Sequence, residues 1–391
     1  MLRKGLLTLL CLQLTLLFVL TSAGAEEKKN ASVDLAPNAR SSVLIDADTG
    51  TVISEKNKDE KLPPASITKV MTMLLIMEAL DSGKLKMDEK VRTSEYAASM
   101  GGSQIFLEPG EEMTVEDMLK GIAMASGNDA SVAMAEKLAG SEEAFVAMMN
   151  DKAKELGLKN THFVNTNGLP VANHYTSAYD IAVMSRELLK HEEITRFTSA
   201  YQDYLRKDSE KPFWLVNTNK LVRFYSGADG LKTGYTVEAK YCLTATAKRD
   251  NLRVIAVVLG EPDTKTRNAE VTKLFDFAFS QYTNHPIFKT GDTIGSFQVK
   301  KGAVESVPLT AKHPYGILMK KGEDPAGVRH EIVLDSNLKA PIQAGQPIGK
   351  LVVYKDNSAV MEFPLESPVE VKKATLWIMV KRTASHLFFL K

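Results

Sequence analysis

The chain has 391 residues, which is enough for two or three domains, and its hydrophobic share of 44% is typical of a globular protein with a sizeable core. The 49 Lys and Arg residues nearly balance 48 Asp and Glu, which gives a formal net charge of +1. Since the sequence has no basic block with interleaved aromatic residues, it gives little support to nucleic-acid binding.

The first residues are typical of a secretory signal peptide. Arg3 and Lys4 precede the apolar run Gly5–Leu20, and the small residues Ala23–Ala25 follow it. We expect cleavage after this small-residue segment, so that residues 1–25 are removed and residues 26–38 form a polar leader. An uncleaved N-terminal anchor is the alternative.

The mature chain is expected to keep one cysteine. Cys11 lies in the segment to be removed, so Cys242 has no partner for an internal disulfide. Its apolar neighbours predict a small packed side chain, not a nucleophile.

Residues 39–284 are predicted to form a mixed α/β domain in which helical layers cover an antiparallel sheet. The segments Ser42–Asp46 and Thr51–Ser54 flank a Gly-containing turn and predict a hairpin that begins the sheet. Strand character returns in Lys240–Ala247 and Arg253–Leu259, and the chain between these two groups of strands is mainly helical. The expected helices cover residues 67–80, 115–125, 128–138, 141–157 and 268–282.

The last hundred residues have two different patterns. Residues 285–367 contain short Val, Ile and Leu segments separated by Gly, Pro, Asn and Asp, which predicts a separate all-β domain. In residues 368–391, Leu376, Val380, Ala384 and Leu387 recur at helical spacing among basic residues. This pattern predicts an amphipathic helix in a membrane surface, with docking on the protein's own body as the alternative.

The first candidate for chemistry is the pair Ser66 and Lys69, at the start of the helix that follows two prolines. Their side chains lie on one helix face about a turn apart, so a lysine whose pKa is lowered could take the serine proton. Backbone N–H groups at the helix start would favour an oxyanion. The same spacing recurs at Ser336 and Lys339, but no predicted helix holds that second pair together.

The second candidate is Ser126 with Asn128, on the link between two predicted helices. A loop serine and asparagine can relay a proton and orient a substrate amide. The alternative for these residue types is an ordinary helix cap.

The third candidate is Lys232-Thr233-Gly234, which leads into the second pair of predicted strands. On an edge strand, a lysine and a threonine could bind a substrate carboxylate, and a glycine would let the substrate approach closely. A second copy, Lys289–Gly291, is followed by Asp292 and predicts a turn in the β domain.

In this order, the three motifs resemble the signature of penicillin-recognising serine enzymes. Among these, the chain is similar to the D-alanyl-D-alanine carboxypeptidases, the low-molecular-mass penicillin-binding proteins, and most of all to the sporulation-associated type of bacilli. The likeness covers nearly the whole chain, since those proteins also have a signal peptide, a β-rich second domain and a C-terminal amphipathic anchor. The segments that carry it are Pro64–Lys69, Ala125–Asp129, Asn167–Leu169, His174–Asp180 and Asp229–Thr236.

The resemblance implies a serine peptidase that cuts between the two terminal D-alanines of a peptidoglycan stem peptide. By this resemblance, Ser66 would be the nucleophile, Lys69 the base and Ser126 a proton shuttle. Asn128 would bind the substrate amide. Water would then hydrolyse the Ser66 ester, and β-lactams would acylate the same serine.

The resemblance also implies how the substrate is held. Lys232 and Thr233 would bind the terminal carboxylate beside Gly234, and the backbone N–H groups of Ser66 and Tyr235 would form an oxyanion hole. No metal or cofactor is expected. The expected partners are stem peptides, β-lactams and a membrane surface, for a protein secreted and attached to the outer face of the cytoplasmic membrane.

Three other functions agree with fewer of these sequence features. A class A β-lactamase needs a glutamate in an E-x-x-L-N segment, but Glu155–Leu158 is followed by Lys159, and Asn160 comes one residue late. A non-catalytic cell-wall receptor would use the same groove for binding alone. A zinc peptidase needs clustered ligands, and the seven histidines have no such spacing.

Overall fold

A computed structural model of the chain describes residues 34–388. The predicted signal peptide, residues 1–25, and most of the predicted leader lie outside the described residues. The strands are β1 Ser41–Asp46, β2 Val52–Lys56, β3 Lys90–Arg92, β4 Glu112–Thr114, β5 Gln202–Leu205, β6 Phe213–Val216, β7 Ala228–Thr236, β8 Lys240–Arg249, β9 Leu252–Glu261, β10 Tyr282–Phe288, β11 Thr293–Gln298, β12 Ser306–Thr310, β13 Tyr315–Lys320, β14 Val328–Leu334, β15 Pro347–Lys355 and β16 Ser358–Glu366. The helices are α1 Lys69–Asp81, α2 Glu95–Ala98, α3 Val115–Ala125, α4 Asn128–Ala139, α5 Glu142–Glu155, α6 Ala178–Leu188, α7 Ile194–Thr198, α8 Leu221–Phe224, α9 Thr264–Gln281 and α10 Leu376–Phe388.

The centre of the first domain is a five-stranded antiparallel sheet in the order β2-β1-β9-β8-β7. Strand β9 is buried on both faces, because its Val- and Ile-rich sequence places Ile255 and Val257 on one side and Val254 and Ala256 on the other. The predicted antiparallel sheet and its opening hairpin are therefore confirmed. Strand β7 lies at an edge, as predicted for the Lys232 motif.

Helices cover both faces of this sheet. The Met-rich α1 is apolar almost all round and lies at the centre of the layer, in contact with α3, α4 and α6. On the opposite face, α9 packs Val271, Leu274 and Phe275 against the sheet. This helix begins at Thr264, four residues before the predicted start, because Asp263 caps it by accepting a hydrogen bond of 2.8 Å from the backbone N–H of Thr266.

A β domain follows α9 directly. It begins at Tyr282, three residues earlier than predicted, and contains the pairs β10-β13 and β11-β12 and the three-stranded sheet β14-β15-β16. Its own core includes Phe297, Ile348 and Leu351. The predicted change to an all-β pattern after the first domain is confirmed.

The C-terminal helix is shorter than predicted. Val371 exchanges backbone hydrogen bonds with Ile342, so residues before α10 are extended and tied to the β domain. One side of α10 is held to this domain by Arg382, which donates to the backbone oxygens of Gly302 and Ala303 at 2.8 and 2.7 Å. The predicted docking alternative is thus observed for one face of the helix.

The other face of α10 is apolar and open. Leu376 and Trp377 are 75% and 74% exposed, and Val380 is also exposed. In the described range 34–388, no helix has both the length and the apolar character that crossing a membrane requires. An apolar stripe on a helix of this kind is typical of a segment that contacts another surface.

Candidate active site

Ser66 and Lys69 lie together at the junction of two helical segments. Ser66 is in a single 3-10 turn, Ala65–Thr68, and Lys69 is the first residue of α1, so the serine lies in front of the α-helix instead of in its first turn. A 3-10 turn has three residues per turn, which brings side chains at i and i+3 into line. The Lys69 Nζ is 3.1 Å from the Ser66 Oγ.

The surroundings of Lys69 favour its neutral form. The side chain is fully buried, and this burial lowers the pKa of Lys69 well below its ordinary value. The positive charge of Lys232 lowers that pKa further, whereas the Asp129 carboxylate opposes the effect. A buried lysine whose amine is neutral can accept a proton from a neighbouring hydroxyl.

The hydrogen-bond partners of Lys69 fix the orientation of its amine. Its Nζ lies 2.6 Å from the Asn128 Oδ1 and 2.7 Å from the backbone oxygen of Asn167, and both of these atoms can only accept. A neutral amine has two N–H groups, which these oxygens occupy. The nitrogen lone pair is then left facing the Ser66 hydroxyl, in the arrangement that a general base requires.

The two polar side chains after α3 differ in their contacts. Ser126 ends α3 in a left-handed conformation with φ of 64°, and its buried Oγ has no hydrogen-bond partner among the described residues. Ser126 therefore caps the helix through its backbone, whose N–H donates to the Gly121 oxygen, while its side chain makes no capping bond. Asn128 binds Lys69 through Oδ1 and donates from Nδ2 to the backbone oxygen of Gly101 at 2.7 Å.

Asp129 fixes the loop that lies beside these residues. Its buried carboxylate accepts hydrogen bonds from the backbone N–H groups of Ile105 and Leu107, at 3.0 and 3.1 Å. The same loop contacts Asn128 through Gly101. Asp129 therefore holds one wall of the site in place.

Strand β7 forms the opposite wall. Lys232 is buried and donates from Nζ to the backbone oxygen of Thr233 at 2.8 Å. Burial, together with the nearby positive charge of Arg267, lowers the pKa of Lys232 to about 7. The Thr233 hydroxyl donates to the Thr218 Oγ1 at 2.7 Å.

Gly234 brings β7 against the nucleophile. A Cβ atom at this position would lie 3.1 Å from the backbone nitrogen of Ser66 and 3.2 Å from the Cβ of Ala65. A larger residue would therefore push the strand away from Ser66. The next residue, Tyr235, is exposed, and its ring lies over Tyr241 at 4.4 Å between centroids.

His174 supports the turn that holds the nucleophile. Its Nδ1 accepts a hydrogen bond of 3.0 Å from the backbone N–H of Val164, so the ring proton is on Nε2 and is donated to the Thr68 Oγ1 at 2.8 Å. The Thr68 hydroxyl in turn donates to the backbone oxygen of Ala65. Burial lowers the pKa of His174 to about 4, so the ring is neutral at pH 7.

The second copies of the motifs lie outside this site. Ser336 is in a turn of the β domain, and Lys339 is in an isolated bridge with Lys300. In the other copy, the backbone N–H of Lys289 donates to Asp292, which makes a turn as predicted. Neither copy forms a cluster of the kind seen around Ser66.

Glu155 and Cys242 have no part in the site. Glu155 is the last residue of α5, is 65% exposed and forms an ion pair with Lys152, so it is not a carboxylate of this site. Cys242 is fully buried in β8, as predicted for a packed thiol.

Sequence reasoning missed several contacts of the site. The backbone oxygen of Asn167 and the Thr218 hydroxyl contact motif residues from other segments of the chain, and the Arg267 guanidinium acts on Lys232 through its charge. The only signal in the sequence was the resemblance of Asn167–Leu169 to a family segment. Nothing in the local sequence distinguishes Thr218 or Arg267.

The sequence matches two protein-family models and closely resembles a known protein. The sequence model of the D-alanyl-D-alanine carboxypeptidase family matches residues 27–263, and that of the C-terminal domain of penicillin-binding protein 5 matches residues 282–373. The D-alanyl-D-alanine carboxypeptidase DacF of Bacillus subtilis is 58% identical over 380 residues, which are 97% of this chain and 98% of the relative.

Two solved structures are similar to this one in fold and sequence. Penicillin-binding protein 5 from Haemophilus influenzae is 33% identical, with a TM-score of 0.67 over 86% of this chain and 98% of that one. Penicillin-Binding Protein D2 from Listeria monocytogenes, solved in an ampicillin-bound form, is 31% identical, with a TM-score of 0.56 over 62% of this chain and 98% of that one.

Proposed function

The chain belongs to the D-alanyl-D-alanine carboxypeptidase family, and on that premise we propose that it removes the terminal D-alanine from peptidoglycan stem peptides through an acyl-enzyme on Ser66. One observation carries the assignment of the nucleophile. The Ser66 hydroxyl lies 3.1 Å from the amine of Lys69, whose pKa is held low by burial. β-Lactams acylate the same serine in this proposal.

The first step forms the acyl-enzyme. The Ser66 Oγ attacks the carbonyl carbon of the penultimate D-alanine while its proton moves to the Lys69 Nζ. The backbone N–H groups of Ser66 and Tyr235 stabilise the oxyanion, and each such donor contributes roughly 10²–10³ in rate. The C–N bond then breaks, and Ser126 passes the proton from Lys69 to the departing amine of D-alanine.

Binding depends on the other wall of the site. The carboxylate of the terminal D-alanine pairs with Lys232 and accepts a hydrogen bond from Thr233. Since the pKa of Lys232 is about 7 in the free enzyme, an approaching carboxylate favours its charged form. Asn128 holds the amide of the acyl part.

Water completes the reaction by attacking the ester while Lys69 accepts its proton, and this proton passes to the Ser66 Oγ as the ester C–O bond breaks. A class A β-lactamase performs this step with an added glutamate, and Glu155 does not lie in the site. We therefore expect the penicilloyl ester on Ser66 to be released slowly.

The release of D-alanine tests this proposal. The mature protein is incubated with a pentapeptide that ends in D-Ala-D-Ala, beside Ser66→Ala and the matched control Ser336→Ala. The proposal requires that only Ser66→Ala abolish release. A folded unmutated protein that releases nothing would point to a receptor that binds without turnover.

The location of the enzyme is part of the proposal. A signal peptide at residues 1–25 would export it, and the exposed apolar face of α10 would attach it to the outer face of the cytoplasmic membrane. Basic residues shortly before α10 and within it, Lys372, Lys373 and Lys381, would favour anionic lipids. A role in sporulation rests only on likeness to the sporulation-associated type, and the time of expression tests it.

A further inference from the structure

A cavity lies beside the active site, at the C-terminal end of β7. Its volume is about 340 Å³. Its walls come from Pro63–Ala65, directly before the nucleophile, from Gly168–Ala172 and His174, from Thr236 at the end of β7, and from Glu238 in the turn that follows. Pro, Leu, Val and Ala side chains form most of this surface, which suits an aliphatic group.

The order of groups along β7 gives a direction to a bound peptide. Lys232 and Thr233 are proposed to bind the terminal carboxylate, and the N–H of Tyr235 is proposed to face the carbonyl that is attacked. A peptide that lies extended and antiparallel beside an edge strand continues past Tyr235 with its acyl part. That path leads to Thr236 and into the cavity.

The reach of the peptide can be estimated from chain geometry. Tyr235 and Glu238 are three residues apart, so their backbones are separated by at most about 10 Å. In the substrate, the Cα of the third residue from the C-terminus is about 5 Å from the attacked carbonyl, and a lysine-length side chain adds about 6 Å. A fully extended side chain of that length is therefore long enough to reach Glu238.

The charge of the cavity favours a cation. Glu238 is the only Asp, Glu, Lys or Arg among the described lining residues, and the His174 ring is neutral at pH 7. In the described part of the chain, the Glu238 carboxylate makes no hydrogen bond or ion pair. The turn that carries it is fixed, since the Thr236 Oγ1 accepts a hydrogen bond of 3.0 Å from the backbone N–H of Ala239.

We propose that Glu238 determines substrate specificity by pairing with an ammonium group at the end of an aliphatic side chain on the residue before D-Ala-D-Ala. The apolar walls hold the methylene groups of that side chain, and the carboxylate accepts from its ammonium group. This inference rests on the proposed carboxypeptidase function.

Three acetylated peptides of the form X-D-Ala-D-Ala test the inference, with lysine, norleucine or glutamate at X. Norleucine keeps the aliphatic chain of lysine and lacks its charge. Because Glu238 is exposed, its ion pair is expected to favour the lysine peptide over the norleucine peptide by roughly two- to five-fold in kcat/KM. Glu238→Gln should bring this ratio close to one by lowering kcat/KM for the lysine peptide, and Glu238→Lys should favour the glutamate peptide.

The control is Asp151→Asn, which removes an exposed carboxylate on α5 that does not line the cavity and should keep the unmutated ratio. Two results would overturn the inference and leave the proposed function standing. One is release of D-alanine at equal rates from the lysine and norleucine peptides; the other is a preference for the lysine peptide that persists in Glu238→Gln. No release from any peptide would overturn the proposed function and this inference with it.

Discussion

Protonation of His174 should lower the free energy of unfolding of the protein at mildly acid pH. The buried ring accepts from the backbone N–H of Val164 and donates to Thr68, so it has one proton in the folded state and no place for a second. Its pKa falls from an ordinary 6.5 to about 4 because burial disfavours the charged ring. A second proton on Nδ1 would remove the acceptor that Val164 uses.

The size of the effect follows from the two pKa values. Each pH unit between them is worth about 1.4 kcal/mol, so the interval from 6.5 to about 4 amounts to roughly 3 kcal/mol. Because the folded-state pKa of His174 is the lower one, this contribution is fully present above pH 6.5. It is lost as the pH falls through about 4.

Urea unfolding followed by circular dichroism at pH 7 and pH 4 measures this loss. His174→Gln keeps a donor and an acceptor but does not titrate, so its free energy of unfolding should fall by roughly 3 kcal/mol less than that of the unmutated protein. His330→Gln, on the exposed surface of the β domain, should behave like the unmutated protein. Equal losses in the unmutated protein and His174→Gln would refute this account of His174.

Three shorter predictions follow from the site and the C-terminal helix. Lys69→Ala should lower kcat/KM for D-alanine release by roughly 10²–10⁴ with an unchanged circular dichroism spectrum, and a value within ten-fold of the unmutated enzyme would contradict its role as base. Gly168→Ala should cost about 3 kcal/mol or more in urea unfolding, because φ is +89° and a Cβ would overlap a backbone carbonyl group. Gly140→Ala has a similar φ of +84° but open space, so it should cost only about 1 kcal/mol, and equal costs would show that the close approach is unimportant. Val380→Asp, on the open apolar face of α10, should reduce co-sedimentation with anionic vesicles, while Ser385→Asp on the other side should not; equal binding by both variants would argue against the membrane face.

Short-range patterns explain what the sequence could predict. Strand β9 was recognisable because its Val and Ile residues are bounded by turn formers, and the pairing of Ser66 with Lys69 depends only on a spacing of three residues. The order of three weak motifs then pointed to a family. The site residues named from these motifs lie around one groove, although their roles stay predictions.

Contacts between distant segments could not be predicted in the same way. Thr218 meets Thr233 only because the loop before α8 folds against an edge strand, and Arg267 affects Lys232 only because α9 begins near the end of β9. The start of α10 was misplaced for a similar reason. Val371 lies in the segment predicted to be helical, but its backbone hydrogen bonds go to Ile342 in the β domain.

The most direct test of the central claim is to locate the acyl group that penicillin leaves on the protein. The mature enzyme is treated with benzylpenicillin, digested, and examined by mass spectrometry beside Ser66→Ala. The account predicts one penicilloyl adduct, on the peptide that contains Ser66, and none in the variant. An adduct on another serine, or an adduct that persists in Ser66→Ala, would contradict it.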